Sequence, residues 1–425
     1  MASLVTSKFR VHNAQQFAEA FSEASNTIMY LFIGKNTTFP NDNSPPTPVN
    51  STANIEYTPW RDMYAAKRIT TSDVTHAIDR YDWTSGTVYD QYDDQDTDLL
   101  EDDFYVMTDE YNVYKCLFNA GATASTTKPT GVSTSPFTTA DGYIWKYMYT
   151  VTTAKALKFL TNDYIPVQTL TSDGGEDQWD VQTAAVDGGI HVIKVTAGGS
   201  GYATAPAVTI TGDGTGATAN STITANVVTK VTITAAGTGY TRASVTFASG
   251  AAAATAIISP KGGHGSDAVE ELGGKFIMLN VRLDGTESNT FSVANEFRQV
   301  GIVRDPYLYG TTTRAVASSF RQSFKYQLSG ISGSFSVDET ITSGSNTASL
   351  IEFTTPSIFT TLPVHLPFAN TATVTGGTSG ATGTIAVITT PGLQPYTGDI
   401  IYVENRVPIS RADDQIEDVK LVIQF

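Results

Sequence analysis

The chain of 425 residues carries 42 acidic against 26 basic side chains, a net charge of −16. That balance excludes the basic surface a nucleic-acid binder needs to displace counterions. A content of 40% hydrophobic residues, with 20 Phe and 20 Tyr, excludes a wholly disordered chain, and at roughly 150 residues per domain the length predicts about three domains.

Low charge (16%), 35 Gly and abundant Thr point to β-structure. The opening MASLVTSKFR has no apolar signal core, and no apolar run approaches a membrane span. No membrane insertion is expected, and the chain is predicted to be soluble and made in the cytoplasm of its host. Asn13 and Gln16 have capping-box spacing, and Ala14, Phe17, Ala18, Phe21 and Ala24 share a face. The pattern predicts a helix starting at Asn13. Residues 27–33 read as a buried strand, and 34–58, with Pro40, Pro45, Pro46 and Pro48, as a loop. Thr58-Pro59 is expected to start a second helix carrying Trp60, Met63, Tyr64 and Lys67. Strands follow at 104–106, 113–118 and 143–151, with a Thr/Ser/Gly/Pro-rich loop over 120–140. The single cysteine, Cys116, excludes an internal disulfide framework and a Cys-based zinc site, and reads as a buried inert thiol.

Two internal repeats come next. KVTAGGSGY (194–202) recurs as TITAAGTGY (232–240), an offset of 38, and the copies run on into AVTI (207–210) and SVTF (244–247). FSVDETITSGSNTA (335–348) recurs as FANTATVTGGTSGA (368–381), an offset of 33. One such strand–turn–strand unit cannot bury its own face, so the copies of each pair are expected to pack on each other as small sandwiches or rolls. The implied division is 1–185, 186–260, 261–325, 326–392 and 393–425, with the second and fourth segments as inserted repeat modules.

The acidity is concentrated. Residues 79–110 hold twelve acids and one base, Arg80, whereas 190–258 holds one acid, Asp213, against Lys194, Lys230 and Arg242. Within the acidic window Asp94, Asp96 and Asp98 alternate as in a calcium loop, but Leu99 stands where the sharp turn wants Gly and Tyr105 where the last carboxylate belongs. The run reads instead as a solvated loop or a docking surface for a basic partner. Tyr81, Trp83, Tyr89 and Tyr92 interleave with Asp93, Asp94, Asp96 and Asp98, and aromatics among charges favour a protein interface. The stretch KGGHGSDAVEELGG (261–274) is the nearest thing to an active-site loop. His264, Ser266 and Asp267 are neighbours in sequence, whereas a nucleophile triad is gathered from distant segments, so His264 reads as a turn or interface hydrogen-bonder. Arg406 and Arg411 near the C-terminus complete the candidate interface set. No cofactor, metal or catalytic residue is expected.

Eight segments, in order, resemble one family: LVTSKFR (4–10), NTIMYLFIGK (26–35), RYDW (80–83), VYKCLFN (113–119), DGYIWKYMYTV (141–151), NDYIPV (162–167), FRQVGIVRDP (297–306) and GDIIYVENRVPISRADDQIEDVKLVIQF (398–425). Together they resemble the baseplate wedge protein of contractile-tailed phages of the T-even type, the wedge component usually numbered eight. They cover nearly half the chain and both its ends. The resemblance implies a virion protein of the tail baseplate, a homodimer that contacts other wedge proteins and has no enzymatic activity. The repeats at 186–260 and 326–392 depart from the family pattern, and their role does not carry over. The expected fold is mainly β: an elongated, multi-domain antiparallel β-sandwich core with two or three short helices and inserted β repeat modules. The competing readings are a receptor- or glycan-binding tail protein acting through the Gly-Tyr repeats, and a polysaccharide hydrolase using paired carboxylates.

Overall fold

The structure is a computed structural model and describes residues 4–23, 27–284, 290–292, 295–365, 367–411 and 415–425. Ala24, Asp413 and Asp414 lie outside the described residues. The chain is mainly β, with 42% strand and 12% helix, as its composition predicts, and strands pair antiparallel in each of its larger sheets, with one isolated parallel bridge at Asp82–Met107. It divides into two compact units: Met1–Gln16, Thr75–Met278 and Val422–Phe425 form one, Phe17–Val74 and Leu279–Leu421 the other.

In the first unit a sheet runs in the order Tyr105–Met107, Asn112–Phe118, Ile144–Thr150, Phe137–Thr138. Both of its faces are buried. Val113, Leu117 and Met148 enter one apolar cluster, and Tyr114, Cys116, Trp145 and Tyr147 enter another. This is why the segments read as nearly continuous apolar runs, with no clean alternation. Cys116 is buried, as expected.

The 186–260 repeats form a second core in this unit. Thr215–Thr224, Val227–Thr238, Ile190–Ala197 and Ala253–Ile258 make one sheet in that order, and Val208–Gly212 pairs with Ala243–Phe247 in another. Ile193, Val231, Tyr202 and Tyr240 are buried between them. The copies meet about a pseudo-two-fold axis, because equivalent residues pair with each other: Ile193 with Val231, and Thr209 with Thr246. The Gly-Tyr motif serves this packing. Tyr202 and Tyr240 are each 4% exposed, and their rings lie where a Cβ on Gly250 or Gly214 would stand.

In the second unit a sheet runs Ser319–Arg321, Met63–Arg68, Met29–Gly34, Phe297–Arg304, Asp399–Ile409. Segment 326–392 forms a closed six-stranded barrel, in which the strand Phe324–Ser332 precedes the first repeat copy; this is a different closure from the sandwich or roll the sequence predicts. Its dyad passes through Thr342 and Thr375, equivalent residues that pair across Thr340–Ser343 and Thr373–Gly376.

Two helix expectations are corrected. The first helix is Ser7–Glu19, so Asn13 lies inside it. Thr6 takes the capping part, its hydroxyl accepting Phe9 N–H at 3.2 Å. The second helix is only Thr58–Asp62, preceded by a π-turn at Ala53–Tyr57 within the stretch read as loop. Met63, Tyr64 and Lys67 belong to the strand Met63–Arg68, held between two neighbours in the sheet. Tertiary pairing there overrides a helix-compatible pattern. The long loop 120–140 also supplies a short strand, Phe137–Thr138, beside Trp145.

Candidate functional site

Two lysines stand at the centre of the first unit's main sheet. Lys115 and Lys146 are direct cross-strand partners, both buried, an arrangement that costs free energy unless an anion is supplied. The anion comes from the Gly-rich loop. Gly265, at φ +93°, lets the loop press against the sheet, since a Cβ there would lie 2.5 Å from Val181 Cγ1 and 3.0 Å from Lys146 Cε. Asp267 then caps a short helix, Ala268–Glu271, by accepting Glu270 N–H at 3.0 Å. The helix carries Glu271 inward. Its Oε2 accepts from Lys115 Nζ at 2.8 Å, and its Oε1 accepts from Gly265 N–H at 2.7 Å and Asp267 N–H at 3.2 Å.

Aromatic rings wall this pair. Lys115 Nζ lies 4.1 Å from the Tyr92 ring centroid, and the His264 ring meets Tyr92 edge-on at 4.8 Å. His264 Nδ1 is 4.0 Å from Glu271 Oε2 and has no hydrogen-bond partner. The His191 ring follows at 5.6 Å. Burial pulls the Lys115 ammonium below its ordinary value, with Glu271 opposing the fall. Lys146 is pulled to about 8, chiefly by burial, with Glu271 opposing and Lys115 adding to the shift. Its ammonium donates to Thr134 O. Burial, then the charge of Lys146, takes His191 down to about 4. His264 falls well below its usual value for the same first reason, with Lys115 next. At neutral pH both imidazoles are therefore uncharged, and the Lys115–Glu271 pair ties sheet to loop.

His191 also lines a cleft of about 730 Å³. One wall is the acidic loop with Asp90, Gln91, Asp93 and Asp96, and the other is the repeat-module sheet with Lys194, Lys230, Thr232 and Thr234. Phe118 and Ile144 add apolar surface.

The structure separates the sequence-based candidates. Tyr89 and Tyr92 are 2% and 6% exposed, so they are core residues and offer no partner a surface. Tyr92 donates to Ile258 O at 3.2 Å. Tyr81 and Trp83 are half-buried, Tyr81 against Tyr105 at 5.3 Å and Trp83 donating to Ser125 Oγ at 3.1 Å. The interleaving of aromatics with acids thus reports residues facing alternately in and out. Asp93 and Asp94 dock onto the chain's own repeat module, Asp93 at 3.4 Å from Lys194 Nζ and Asp94 accepting Ile258 N–H at 3.2 Å. Asp96 and Asp98 are exposed. His264 is 4% exposed and sits in the buried network, not at a surface. In the second unit, Arg406 pairs with Glu404 at 2.7 Å, and Arg411 is buried with Glu417 at 2.7 Å. Tyr89, Tyr92, His264 and Arg411 are thus buried, while Asp96 and Asp98 face solvent. Among the described residues, no three or more His, Cys, Asp and Glu side chains converge as a metal site requires, and no helix is long and apolar enough to cross a membrane.

Lys115, Lys146, Glu271 and His191 were absent from the sequence-based candidates. The available signal was one lysine in each of the apolar runs VYKCLFN and IWKYMY. A lysine inside a strand buried on both faces demands a buried carboxylate somewhere in the chain. Comparisons with protein-family models and with curated proteins found no match to this chain.

Proposed function

We propose that the chain is a structural subunit of a contractile-tail baseplate wedge, working through protein interfaces and not through a reaction. One observation carries this reading: the segments that resemble the wedge protein become spatial neighbours. In the second unit, the strands of NTIMYLFIGK, FRQVGIVRDP and GDIIYVENRVPI lie side by side in one sheet, although long stretches of chain separate them. In the first unit, VYKCLFN pairs with DGYIWKYMYTV, and NDYIPV pairs with the strand leading into RYDW. Both repeat modules build cores of their own beside these frames. Six of the eight resembling segments supply strands of these shared sheets, which supports a common framework better than scattered coincidence does. The repeats are then additions to that framework. The buried tyrosines of the Gly-Tyr motif count against a receptor contact through those rings.

Co-expression with the neighbouring tail proteins, followed by native mass spectrometry, tests the proposal. The expected result is a dimer of this chain that also enters heteromeric wedge complexes. A monomer at micromolar concentration that enters no complex would sink it.

A further inference from the structure

We propose that the cleft between the acidic loop and the 186–260 module is a binding site for a short, uncharged oligosaccharide. The site is distinct from the Gly-Tyr rings and independent of the baseplate reading. Its volume, about 730 Å³, lies in the roughly 300–1,000 Å³ range of small-ligand clefts. A sugar offers hydroxyls that both donate and accept, and a C–H face that is apolar. The cleft supplies a counterpart to each. Asp90 and Asp96 are exposed carboxylates on one wall, able only to accept. Thr232, Thr234 and Lys230 are exposed on the opposite wall, where the Thr234 hydroxyl also bonds Thr218 at 2.7 Å. The half-buried Phe118 ring provides a stacking surface.

The charges argue against a strongly ionic ligand. Asp93 and Lys194 face each other at 3.4 Å and offset one another, and the remaining acids on one wall confront Lys230 on the other.

Saturation-transfer NMR on the full chain tests the site, with a panel of neutral tri- and tetrasaccharides built on glucose, mannose, galactose and N-acetylglucosamine. At least one member should bind the wild-type chain with a millimolar or tighter Kd. Asp90→Asn combined with Thr232→Ala should weaken that binding at least tenfold. Both positions are exposed, so the fold should persist, as circular dichroism would check. Lys230→Ala provides a second variant, expected to weaken binding at least threefold. Absence of transfer from every sugar to the wild-type chain overturns the proposal. So does binding that the variants leave unchanged, or tetralysine taking the cleft in preference to all the sugars.

Discussion

The two repeat modules solve one problem in different ways. Each is a tandem duplication whose halves meet about a pseudo-dyad, marked by paired equivalent threonines: Thr209 with Thr246, and Thr342 with Thr375. Each buries matching residues from both copies, Tyr202 and Tyr240 in one, Phe335 and Phe368 in the other. The barrel, however, closes on itself; Asp338 accepts from Asn36 and Asn295 outside it at 2.9 and 3.0 Å, but Glu339 is satisfied from within. Glu339 accepts from Ser336 N–H, Thr378 N–H and Ser379 N–H at 2.8 to 2.9 Å. The sandwich keeps open sheet edges. One of them, Ala253–Ile258, is held through Asp94 and Tyr92 of the acidic loop outside the module. Duplication builds a core in both cases, and closure decides whether that core stands alone.

The largest expected effect is therefore all-or-none. Residues 322–392 expressed alone should give a dispersed NMR spectrum and one cooperative unfolding transition, whereas 186–260 alone should not. Equal behaviour of the two fragments would break the comparison. Next comes the Lys115–Glu271 pair beside the sandwich. Glu271→Ala leaves Lys115 buried opposite Lys146 without its carboxylate, and removing one partner of a buried pair costs about 3–5 kcal/mol. Chemical denaturation should show that loss, together with earlier exchange of the module's amides. A loss below about 1 kcal/mol would mean that the lysines find other partners.

Acid should distinguish the same regions. His191 holds its proton only near pH 4, against 6.5 for the free side chain, so between those values the unfolded chain binds more protons than the folded one. The contribution is complete above pH 6.5 and is lost as pH falls towards 4, by about 3 kcal/mol at most. His264 adds a loss of the same sign. Hydrogen exchange corrected for intrinsic rates should show 190–197 and 253–258 loosening in that window before the barrel strands. Parallel loosening of both modules would count against the imidazoles.

How much of this was legible in sequence follows the range of the signals. Composition, the strands near 113 and 144 and both repeat offsets were readable, because local periodicity and self-similarity record them. Barrel closure was not, because Phe324–Ser332, which completes the ring, lies outside both repeat copies, 335–348 and 368–381. Met63 and Tyr64 were misread because neighbouring strands, absent from any local window, decide their conformation. The acidic loop was half legible. Its charge was plain, but one of its partners was a segment of the same chain, and nothing at 93–94 names Lys194 or Ile258. Tyr92 looked like an interface residue because it does face an interface, an internal one.

That loop carries the smallest and most discriminating prediction. Asp94→Ala removes the acceptor for Ile258 N–H and should cost about 1–2 kcal/mol by leaving a partly buried donor unpaired. Asp98 has the opposite surroundings. It is exposed, and the nearby Asp102 carboxyl is raised above its ordinary range first by burial and then by Asp90, Asp96, Asp98 and Glu101. Asp98→Asn takes one repelling charge from that group while leaving the backbone of the following turn, Leu99–Glu101, in place. Stability should rise by a few tenths of a kcal/mol, about the size of an exposed pair interaction. The gain should shrink with added salt, since screening acts over about 10 Å at 0.1 M. Paired denaturation curves at low and high salt would measure it. A salt-independent gain, or a loss as large as that of Asp94→Ala, would show that Asp98 holds structure as Asp94 does, and that the loop is not divided into a docked half and a repelling half.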